Sequence, residues 1–521
     1  TSYKGICVMV FSNNLLLGVG GQSTDSSFNT TLIGNSVWLD GSADFLSAEL
    51  GAKTRTKAVI GTWIQKTGFS NSDATIFSKK GTTQFAMRMQ DQANKAGKFS
   101  IFDWDGSANK YAAESTSMLL RDNGWYHIMI SIDTTAIAGN RLRYYINGID
   151  QTDTLTVTAD YTLNYNPNIT GGSGEPTQWG VGYTGTSQFN PCYLAQSFML
   201  DDDSIQNADV AVTDILDAFT LGTNGSQFTP KSDAAIAALA TTAGGDSFCL
   251  DFANSADLGN DISSNNNDFT PTSMAAVNQT TSSPSSAFAT WNPLRVNTQT
   301  QTFAEGNLRF SSTQTSTNPA ATGNYGVSSG KFYWEVFVVA QGNTSNILGI
   351  CDTAAGLEDD TTALYASALM YGYEFAGTKR NNNSSASYGD SITTGDIVGV
   401  ALDMDNGGVY FSKNGTFQAS GDPTSGASLT NAAFTGLNSA GSGVFQPYYL
   451  AYSSGDGVAN FGQSPTFNGQ TTAGGNTDAN GRGNFKHSVP SGYTALTSAN
   501  ITEPSYQGID YFAPTLYEGN G

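Results

Sequence analysis

Few residues in this chain have the type and spacing that catalysis needs. The only histidines are His127 and His487, so no Ser/His/Asp or Cys/His arrangement is predicted. Glycoside hydrolysis requires paired carboxylates, but the spacing E-x-D-x-x-E is absent, and Glu335 and Glu374 stand alone on their predicted strands. We therefore predict that the protein is not an enzyme. Glycan hydrolysis by carboxylates scattered along the chain remains the alternative.

A run of three carboxylates is the best candidate for a metal site. Asp201, Asp202 and Asp203 follow an apolar strand predicted from Leu194 to Leu200. Carboxylate oxygens are the ligands that Ca²⁺ prefers, so the sequence indicates a candidate Ca²⁺ site at this strand end. The alternative is a solvated turn that caps a following helix. No other cofactor is predicted.

Aromatic side chains in loops and at strand ends are candidates for ligand contacts. In the N-terminal half these are Trp104, Trp179 and Tyr183, since aromatic rings with polar neighbours can stack on sugar rings. Trp104 lies between Asp103 and Asp105 and is expected to be exposed. For Trp179, packing in the core is an equally good alternative.

Strands must position these candidates, because alternating patterns recur along the chain. In the stretch 395–415, Val398, Val400 and Leu402 occur at every second position, which predicts a strand. The residues D-N-G-G follow, and we expect a tight turn with positive φ from Asn406 to Gly408. The alternation then resumes, so the stretch predicts an antiparallel hairpin.

A second hairpin is predicted in the N-terminal half. In the strand G-W-Y-H-I-M-I-S-I-D, Tyr126, Ile128, Ile130 and Ile132 share one face. The following strand, R-L-R-Y-Y-I-N-G-I-D, pairs with it and turns at Asn147-Gly148.

Helical spacing is confined to two segments. Asn207 to Phe219 is predicted as a helix, and Ala234 to Ala243 as a second, short one. A strand that begins at Ser247 is expected to return to the N-terminal strands.

The N-terminal half resembles concanavalin A-like, laminin G-like jelly rolls. The hairpin W-Y-H-I … Y-I-N-G, with the strands Q-W-G-V-G-Y-T-G and C-Y-L-A-Q-S-F-M-L, carries the resemblance. It implies an antiparallel β-sandwich in which His127 is a packed strand residue rather than a catalytic base.

The C-terminal half resembles SPRY domains, which are β-sandwich interaction modules. The 395–415 hairpin carries the resemblance, and five neighbouring stretches match in order: G-K-F-Y-W-E-V-F-V-V, N-I-L-G-I-C, Y-G-Y-E-F-A-G-T-K-R-N-N, S-Y-G-D and F-Q-P-Y-Y-L-A-Y-S-S-G-D-G-V-A-N-F-G. The resemblance implies binding rather than catalysis. It places Tyr371, Tyr373, Arg380 and Asn381 in the segment that borders the ligand-binding loops of such domains, with an ordinary exposed loop as the alternative.

Composition limits the partners. The chain has 23 basic and 44 acidic groups, for a formal net charge of −21. Such a surface repels phosphate backbones and anionic lipid, so no nucleic acid partner is predicted. No apolar run approaches the ~18 residues of a membrane span, so no membrane insertion is predicted.

The cysteines give no sign of a metal site. Cys7, Cys192, Cys249 and Cys351 are scattered, without a C-x-x-C motif. We expect thiols that pack as small core residues. A Cys192–Cys249 disulfide is the alternative.

The fold class predicted is therefore all-β, with two antiparallel β-sandwiches, an N-terminal arm and an extended C-terminal strap. The predicted boundaries are an arm over 1–36, a concanavalin A-like jelly roll over 37–270, a linker over 271–300, a SPRY-like sandwich over 301–467 and a strap over 468–521. The linker is predicted from its Asn-, Ser- and Thr-rich composition.

The order of these parts, with the tail P-S-G-Y-T-A-L … E-P, resembles structural proteins of tailed bacteriophages. This implies a virion protein that is made in the host cytoplasm and exposed on the particle as a fibre, spike or capsid decoration. Its expected partners are other capsid or tail proteins, further copies of itself in a homo-oligomer such as a trimer, and host surface glycan. A purely structural decoration protein without a ligand, or a glycan-degrading tailspike, are the alternatives.

Overall fold

The computed structural model describes residues 32–501, with gaps at 52, 69–72, 91–96, 117–123, 203–209, 222–224, 296–300, 316–318 and 356–365. The fold is nearly all β. The N-terminal strands are β1 (Ser36–Asp40), β2 (Phe45–Ala48), β3 (Lys57–Lys66), β4 (Ala74–Lys79), β5 (Gln84–Gln90), β6 (Lys98–Trp104), β7 (Asn109–Ser115), β8 (Trp125–Asp133), β9 (Leu142–Ile146), β10 (Ile149–Asp150), β11 (Leu155–Ala159), β12 (Thr177–Trp179), β13 (Pro191–Asp201), β14 (Leu216–Leu221), β15 (Gly225–Pro230), β16 (Phe248–Leu250), β17 (Thr270–Thr272) and β18 (Gln279–Thr280). Two α-helices accompany them, α1 (Val212–Ile215) and α2 (Asp233–Ala243).

These strands form two antiparallel sheets and a separate ribbon. Sheet A has the order β10-β9-β8-β3-β13-β1-β18, with β16 paired to β13, and sheet B has the order β11-β7-β6-β5-β4-β12-β2-β17. The ribbon joins β14 to β15. The two sheets pack face to face as the first sandwich.

The period of two decides which side chains enter the core between sheets A and B. Tyr126, Ile128, Ile130 and Ile132 of β8 lie in that core, as predicted. Strands β8 and β9 pair as predicted. The turn at Asn147-Gly148 has positive φ at both residues and joins β9 to β10.

The outer face of sheet A carries an apolar layer of its own. Trp63 of β3 and Trp125 of β8 belong to it, and Ile236 and Ala240 of α2 cover it. His127 lies between Trp63 and Phe198 and is fully buried. Burial lowers its pKa to about 3, so the packed-residue interpretation of His127 is confirmed.

The second sandwich contains the strands β19 (Thr302–Ala304), β20 (Arg309–Ser311), β21 (Ala320–Thr322), β22 (Lys331–Ala340), β23 (Ile347–Asp352), β24 (Met370–Glu374), β25 (Thr378–Asn381), β26 (Ser384–Ser387), β27 (Ile397–Asp403), β28 (Gly408–Lys413), β29 (Thr416–Phe417), β30 (Phe434–Thr435), β31 (Phe445–Leu450), β32 (Asp456–Asn460) and β33 (Thr494–Ala495). Sheet C has the order β19-β20-β32-β22-β27-β28-β29, with β30 and β33 attached. Sheet D has the order β21-β31-β23-β24-β25-β26.

The predicted 395–415 hairpin is the pair β27–β28, in which Asp403 lies opposite Gly408. Its turn differs in one respect from the expectation, because only Gly407 has positive φ, at +75°. The side chain of Asp403 accepts a hydrogen bond from the backbone N–H of Asn406, and this contact holds the turn without positive φ at Asn406.

The first predicted helix is mostly wrong. Within Asn207 to Phe219 the structure has only the short helix α1, and the chain then continues as strand β14. The rest of that segment, up to 209, lies outside the described residues. The second prediction, Ala234 to Ala243, is confirmed by α2, whose N-cap Ser232 accepts a hydrogen bond from the backbone N–H of Ala235.

The segment predicted as a linker, 271–300, is packed rather than extended over its described part. Residues 270–272 pair with β2, and 279–280 pair with β1. Trp291 is fully buried in the second core. Ser283 donates a hydrogen bond to the carbonyl of Ile33. Small polar residues suit a linker and a narrow interface equally well, so composition did not distinguish them.

The predicted arm and strap are described only in part. Residues 1–31 and 502–521 lie outside the described residues. The predicted strap does cover sheet C, since Phe485 and Tyr493 are buried on its outer face and β33 pairs in parallel with β22. The domain boundaries themselves stay predictions.

The described cysteines are buried thiols. Cys192, Cys249 and Cys351 form no disulfide within the described part of the chain, and Cys7 lies outside it. The expectation of packed thiols is confirmed for these three. Among the helices of the described residues, none has the length and apolar character of a membrane span.

Candidate binding site

Sheet B presents a polar outer face, unlike sheet A. On β6, Phe99 and Ile101 point into the core. Lys98, Ser100 and Phe102 alternate with them and therefore point outward. The neighbouring strands follow the same rule, since Arg88 of β5 pairs with Ser100, and Ser100 pairs with Glu114 of β7. Charged and amide side chains thus form one continuous surface across β5, β6 and β7.

A depression of about 540 Å³ lies on this surface, within the size range of small-molecule sites. We call it the sheet B depression. It is lined by residues of the adjacent strands β5, β6, β7 and β11 and by the residue that follows β7: Arg88, Gln90, Lys98, Ser100, Ile101, Phe102, Asn109, Ala112, Ala113, Glu114, Ser115, Thr116, Thr156 and Thr158.

The charged side chains of the depression are engaged with each other or with near neighbours. Arg88 Nη1 lies 2.8 Å from Asp73 Oδ2, and the Arg88 guanidinium carbon lies 4.8 Å from the centre of the Phe102 ring. Lys98 Nζ lies 3.5 Å from Glu114 Oε1. The guanidinium therefore covers one face of Phe102 and is fixed by charge and by the ring.

Three buried polar atoms of the lining have no hydrogen-bond partner in the described chain. They are Arg88 Nε, Gln90 Oε1 and Ser100 Oγ. Gln90 is 6% exposed and Ser100 is 4% exposed. Buried polar atoms are almost always hydrogen-bonded in folded proteins, to protein or to water, so these atoms need a polar partner, water or ligand, that the described chain does not supply.

The aromatic residues predicted in this half have three different positions. Trp104 is half-buried at the end of β6, opposite Gln84 and Asn109, just beyond the depression. Tyr183 is half-buried, and its ring meets the edge of Phe102 at 5.3 Å. Trp179 is fully buried against Phe77. The prediction of Trp179 as a ligand contact is therefore wrong, because its strand position points into the core.

Asp103, the predicted polar neighbour of Trp104, points the other way. It is fully buried and accepts hydrogen bonds from Tyr161 and from Asn168. Burial raises the pKa of its carboxyl group. Asp105 remains on the surface, paired with Lys110 at 2.7 Å.

In the second sandwich, the predicted residues are mainly structural. Tyr373 is fully buried and donates its hydroxyl hydrogen to the carbonyl of Asp390, so its prediction as a ligand contact is wrong. Tyr371 is half-buried and packs edge-on against Phe434 and Phe445.

Two polar residues of β25 stabilise the same sheet. Arg380 pairs with Glu374 at 2.7 Å. The side-chain amide of Asn381 donates to the carbonyls of Ala368 and Met370. Their hydrogen bonds hold adjacent strands and turns of sheet D together.

The predicted Ca²⁺ site has its first carboxylate already engaged. Asp201 is buried, with Arg55 Nε at 2.7 Å and Lys53 Nζ at 2.5 Å. A cation placed there would have to replace two positive side chains. Asp203 lies outside the described residues, so the Ca²⁺ prediction stays a prediction.

The lone carboxylates of the sequence are not part of the depression. Glu335 of β22 is buried and accepts hydrogen bonds from the backbone N–H groups of Lys486 and His487, both at 2.8 Å. Burial raises its pKa to about 7. This carboxylate anchors the strap on sheet C. Glu374 is held by Arg380, Thr378 and Ser385.

The sequence interpretation thus found the margin of the depression, through Trp104 and Tyr183, and missed its lining. Arg88, Gln90, Lys98, Ser100 and Glu114 were not predicted. The available signal was the local alternation in Q-F-A-M-R-M-Q and K-F-S-I-F-D-W, where Arg88 and Gln90 flank Met89, and Lys98 and Ser100 flank Phe99.

Comparisons with known proteins find one family model in each half of the chain. Residues 40–186 match the family model of the concanavalin A-like lectin/glucanases superfamily. Residues 331–464 match the model of the SPRY domain.

Individual relatives share only parts of this chain. The ATP-dependent RNA helicase DDX1 of Xenopus laevis is 36% identical over 92 residues, which cover 17% of this chain and 11% of the helicase. The Drosophila melanogaster helicase Ddx1 is 31% identical over 86 residues, again 11% of its length. The chain therefore spans about a tenth of the curated relatives that it matches.

Among solved structures, the SPRY domain of human HERC1 is 20% identical, with a TM-score of 0.25, and the match covers 32% of this chain and 96% of that domain. Domains LG4-5 of the mouse laminin alpha1 chain are 8% identical, with a TM-score of 0.27, and the match covers 84% of this chain and 89% of that one. On the strength of the two family models, the chain contains a concanavalin A-like domain followed by a SPRY domain, both built as β-sandwiches.

Proposed function

We propose that the protein is a non-enzymatic binding protein whose first sandwich binds carbohydrate in the sheet B depression. The observation that supports this most directly is the depression itself, which joins polar side chains of four strands on the outer face of the sheet. Its lining offers hydroxyl, amide, carboxylate and cationic groups. A sugar, whose hydroxyls both donate and accept hydrogen bonds, is complementary to such a mixture.

The lining also favours binding over hydrolysis. Hydrolysis by the usual retaining or inverting mechanisms needs two carboxyl groups that face each other across the scissile bond. Among the described residues that line the depression, Glu114 alone carries a carboxylate. It is engaged with Lys98, and the other nearby carboxylate, Asp73, is engaged with Arg88.

We further propose that the chain is a surface-exposed component of a bacteriophage virion, a fibre, spike or capsid decoration that contacts host surface glycan. The order of jelly roll, connector, SPRY-like sandwich and tail supports this part. So does the formal net charge of −21, which disfavours nucleic acid and anionic membranes as partners.

Binding can be tested with purified full-length protein and host envelope polysaccharide. We expect the polysaccharide to be bound without release of reducing ends. Glu114→Ala should weaken binding at least tenfold, because it removes an acceptor from the lining. The matched control is Ser47→Ala, an outward residue of β2 in the same sheet, which should bind like the wild type.

Two results would contradict the proposal. Release of reducing ends, abolished by a single Asp or Glu substitution, would establish an enzyme. Absence of binding, with the protein present on purified particles by mass spectrometry, would favour the alternative of a purely structural decoration protein.

A further inference from the structure

The charges around the sheet B depression are balanced. Arg88 and Lys98 are the cations of its described lining, and each has a carboxylate within 4 Å: Asp73 at 2.8 Å and Glu114 at 3.5 Å. Beyond Trp104, Lys110 is likewise paired with Asp105 at 2.7 Å. No described cation of the lining is therefore left to attract an anionic ligand.

The rest of the polar lining is uncharged. Gln90 and Ser100 are buried and offer an amide oxygen and a hydroxyl without partners in the described chain. Thr156 and Thr158 add exposed hydroxyls on β11. A neutral hydroxyl can donate to Gln90 and either donate to or accept from Ser100, whereas a carboxylate can only accept.

The charge of the whole chain acts in the same direction. A net charge of −21 gives a negative field that lowers the local concentration of anions at the surface. An acidic glycan would have to enter against this field and displace Asp73 or Glu114 from its cation.

We propose that the sheet B depression binds uncharged oligosaccharides and discriminates against the corresponding acidic ones. This inference rests on the proposed function, because it specifies the ligand class of the same site. The discrimination is between glycans of neutral hexose units and glycans whose corresponding units carry a carboxylate.

The test uses matched ligands and full-length protein. Oligosaccharides of glucose, galactose and mannose are compared with those of glucuronate, galacturonate and mannuronate, each at about 0.05 and 0.5 M NaCl. We expect at least one neutral oligosaccharide to bind at least tenfold more tightly than its acidic counterpart at low salt. Its affinity should change less than twofold with salt, because no net charge is paired on binding.

A variant locates the discrimination. Glu114→Gln keeps the shape and an acceptor oxygen but leaves Lys98 without its carboxylate. The ratio of neutral to acidic affinity should therefore fall about tenfold, whereas Ser47→Ala should leave the ratio unchanged.

The outcomes distinguish a wrong ligand class from the absence of carbohydrate binding. If an acidic oligosaccharide binds as tightly as its neutral counterpart or more tightly, or if Glu114→Gln leaves the ratio unchanged, this inference is wrong while carbohydrate binding stands. If no oligosaccharide and no host polysaccharide binds, the proposed function fails and the inference fails with it.

Discussion

The two sheets of the first sandwich share a core but have opposite outer faces. The outer face of sheet A carries Trp63 and Trp125, which are fully buried beneath helix α2 and neighbouring segments. The outer face of sheet B carries Arg88, Lys98 and Glu114 around an open depression. The same alternation generates both, so the chemistry of the outward residue decides whether a face is covered by the chain or left available to a ligand.

The second sandwich follows the pattern of sheet A. The outer face of sheet C is covered by the strap residues Phe485 and Tyr493. A further apolar cluster around Cys351 and Tyr448 lies on sheet D. The outer faces of sheets A and C are thus covered by the chain, whereas the outer face of sheet B carries an open polar depression, which is why we place the binding site there.

The largest expected effect is on stability, when a tryptophan is replaced by alanine on the outer face of sheet A and on the outer face of sheet B. Trp63→Ala should lower the free energy of unfolding by about 3–5 kcal/mol, because it leaves a cavity in a closed layer. Trp104→Ala, on the half-buried margin of sheet B, should cost about 1 kcal/mol or less. Urea denaturation of both variants measures the difference. Equal losses would contradict the distinction between a covered and an open face.

The next effect is on binding. Phe102→Ala removes the ring on which Arg88 lies and against which Tyr183 packs, so both neighbours should lose their positions. We expect carbohydrate affinity to fall at least tenfold, or about 1.4 kcal/mol, by titration calorimetry. Phe417→Ala, a half-buried phenylalanine of the second sandwich, is the control and should bind normally.

The covered faces should also make stability depend on pH. Glu335, beneath the strap, has its pKa raised by burial to about 7, and Asp233, at the start of α2, has its pKa raised by burial to about 7. A raised pKa in the folded state means that ionisation disfavours folding. This contribution to stability is full below the unfolded pKa and is lost as the pH rises through about 7.

Thermal unfolding should accordingly show a lower melting temperature at about pH 8.5 than at about pH 6.5, with each group contributing on the order of 1 kcal/mol. Glu335→Gln should reduce this dependence. The histidines oppose this trend weakly in this window, because the lowered pKa values of His127 and His487 cost stability only as the pH falls toward and below about 6.5. A melting temperature that rises with pH would contradict the burial of these carboxyl groups.

The smallest expected effect is a loss of carbohydrate affinity at Trp104, which defines the boundary of the site. Trp104 adjoins the depression through Asn109 but does not line it, so Trp104→Ala should weaken carbohydrate binding by no more than about threefold, or 0.6 kcal/mol. Binding by fluorescence titration is the measurement. Complete loss with intact folding would move the ligand toward Trp104, as the sequence alone suggested.

Much of the fold could be predicted because alternation and turn residues are local signals. The pattern from Tyr126 to Ile132 correctly predicted a strand that pairs with β9, and Asn147-Gly148 correctly predicted a turn, which joins β9 to β10. The helix prediction over Asn207 to Phe219 is mostly wrong because the apolar spacing of this segment also suits β14. Near Ser283 the segment predicted as a linker is packed, which composition could not reveal because small polar residues suit an interface as well as a linker.

The candidate site was harder to predict for a different reason. The period of two shows that Thr177 and Trp179 share one face of β12, but it does not say which face is the core. That choice depends on sheet pairing, because β12 pairs with β4 and β2, and both of these strands lie far from β12 in the sequence. The lining of the depression likewise combines Arg88, Ser100 and Glu114 from three strands, and only their register brings them together.

The most direct test of the open face as the binding site is hydrogen–deuterium exchange of the full chain with and without a bound neutral oligosaccharide. We predict slower amide exchange in residues 84–90, 98–104 and 109–116, with no change in residues 371–381 of the second sandwich. Protection confined to 371–381, or protection of the covered face around 125–133 without any on β5 to β7, would contradict the account.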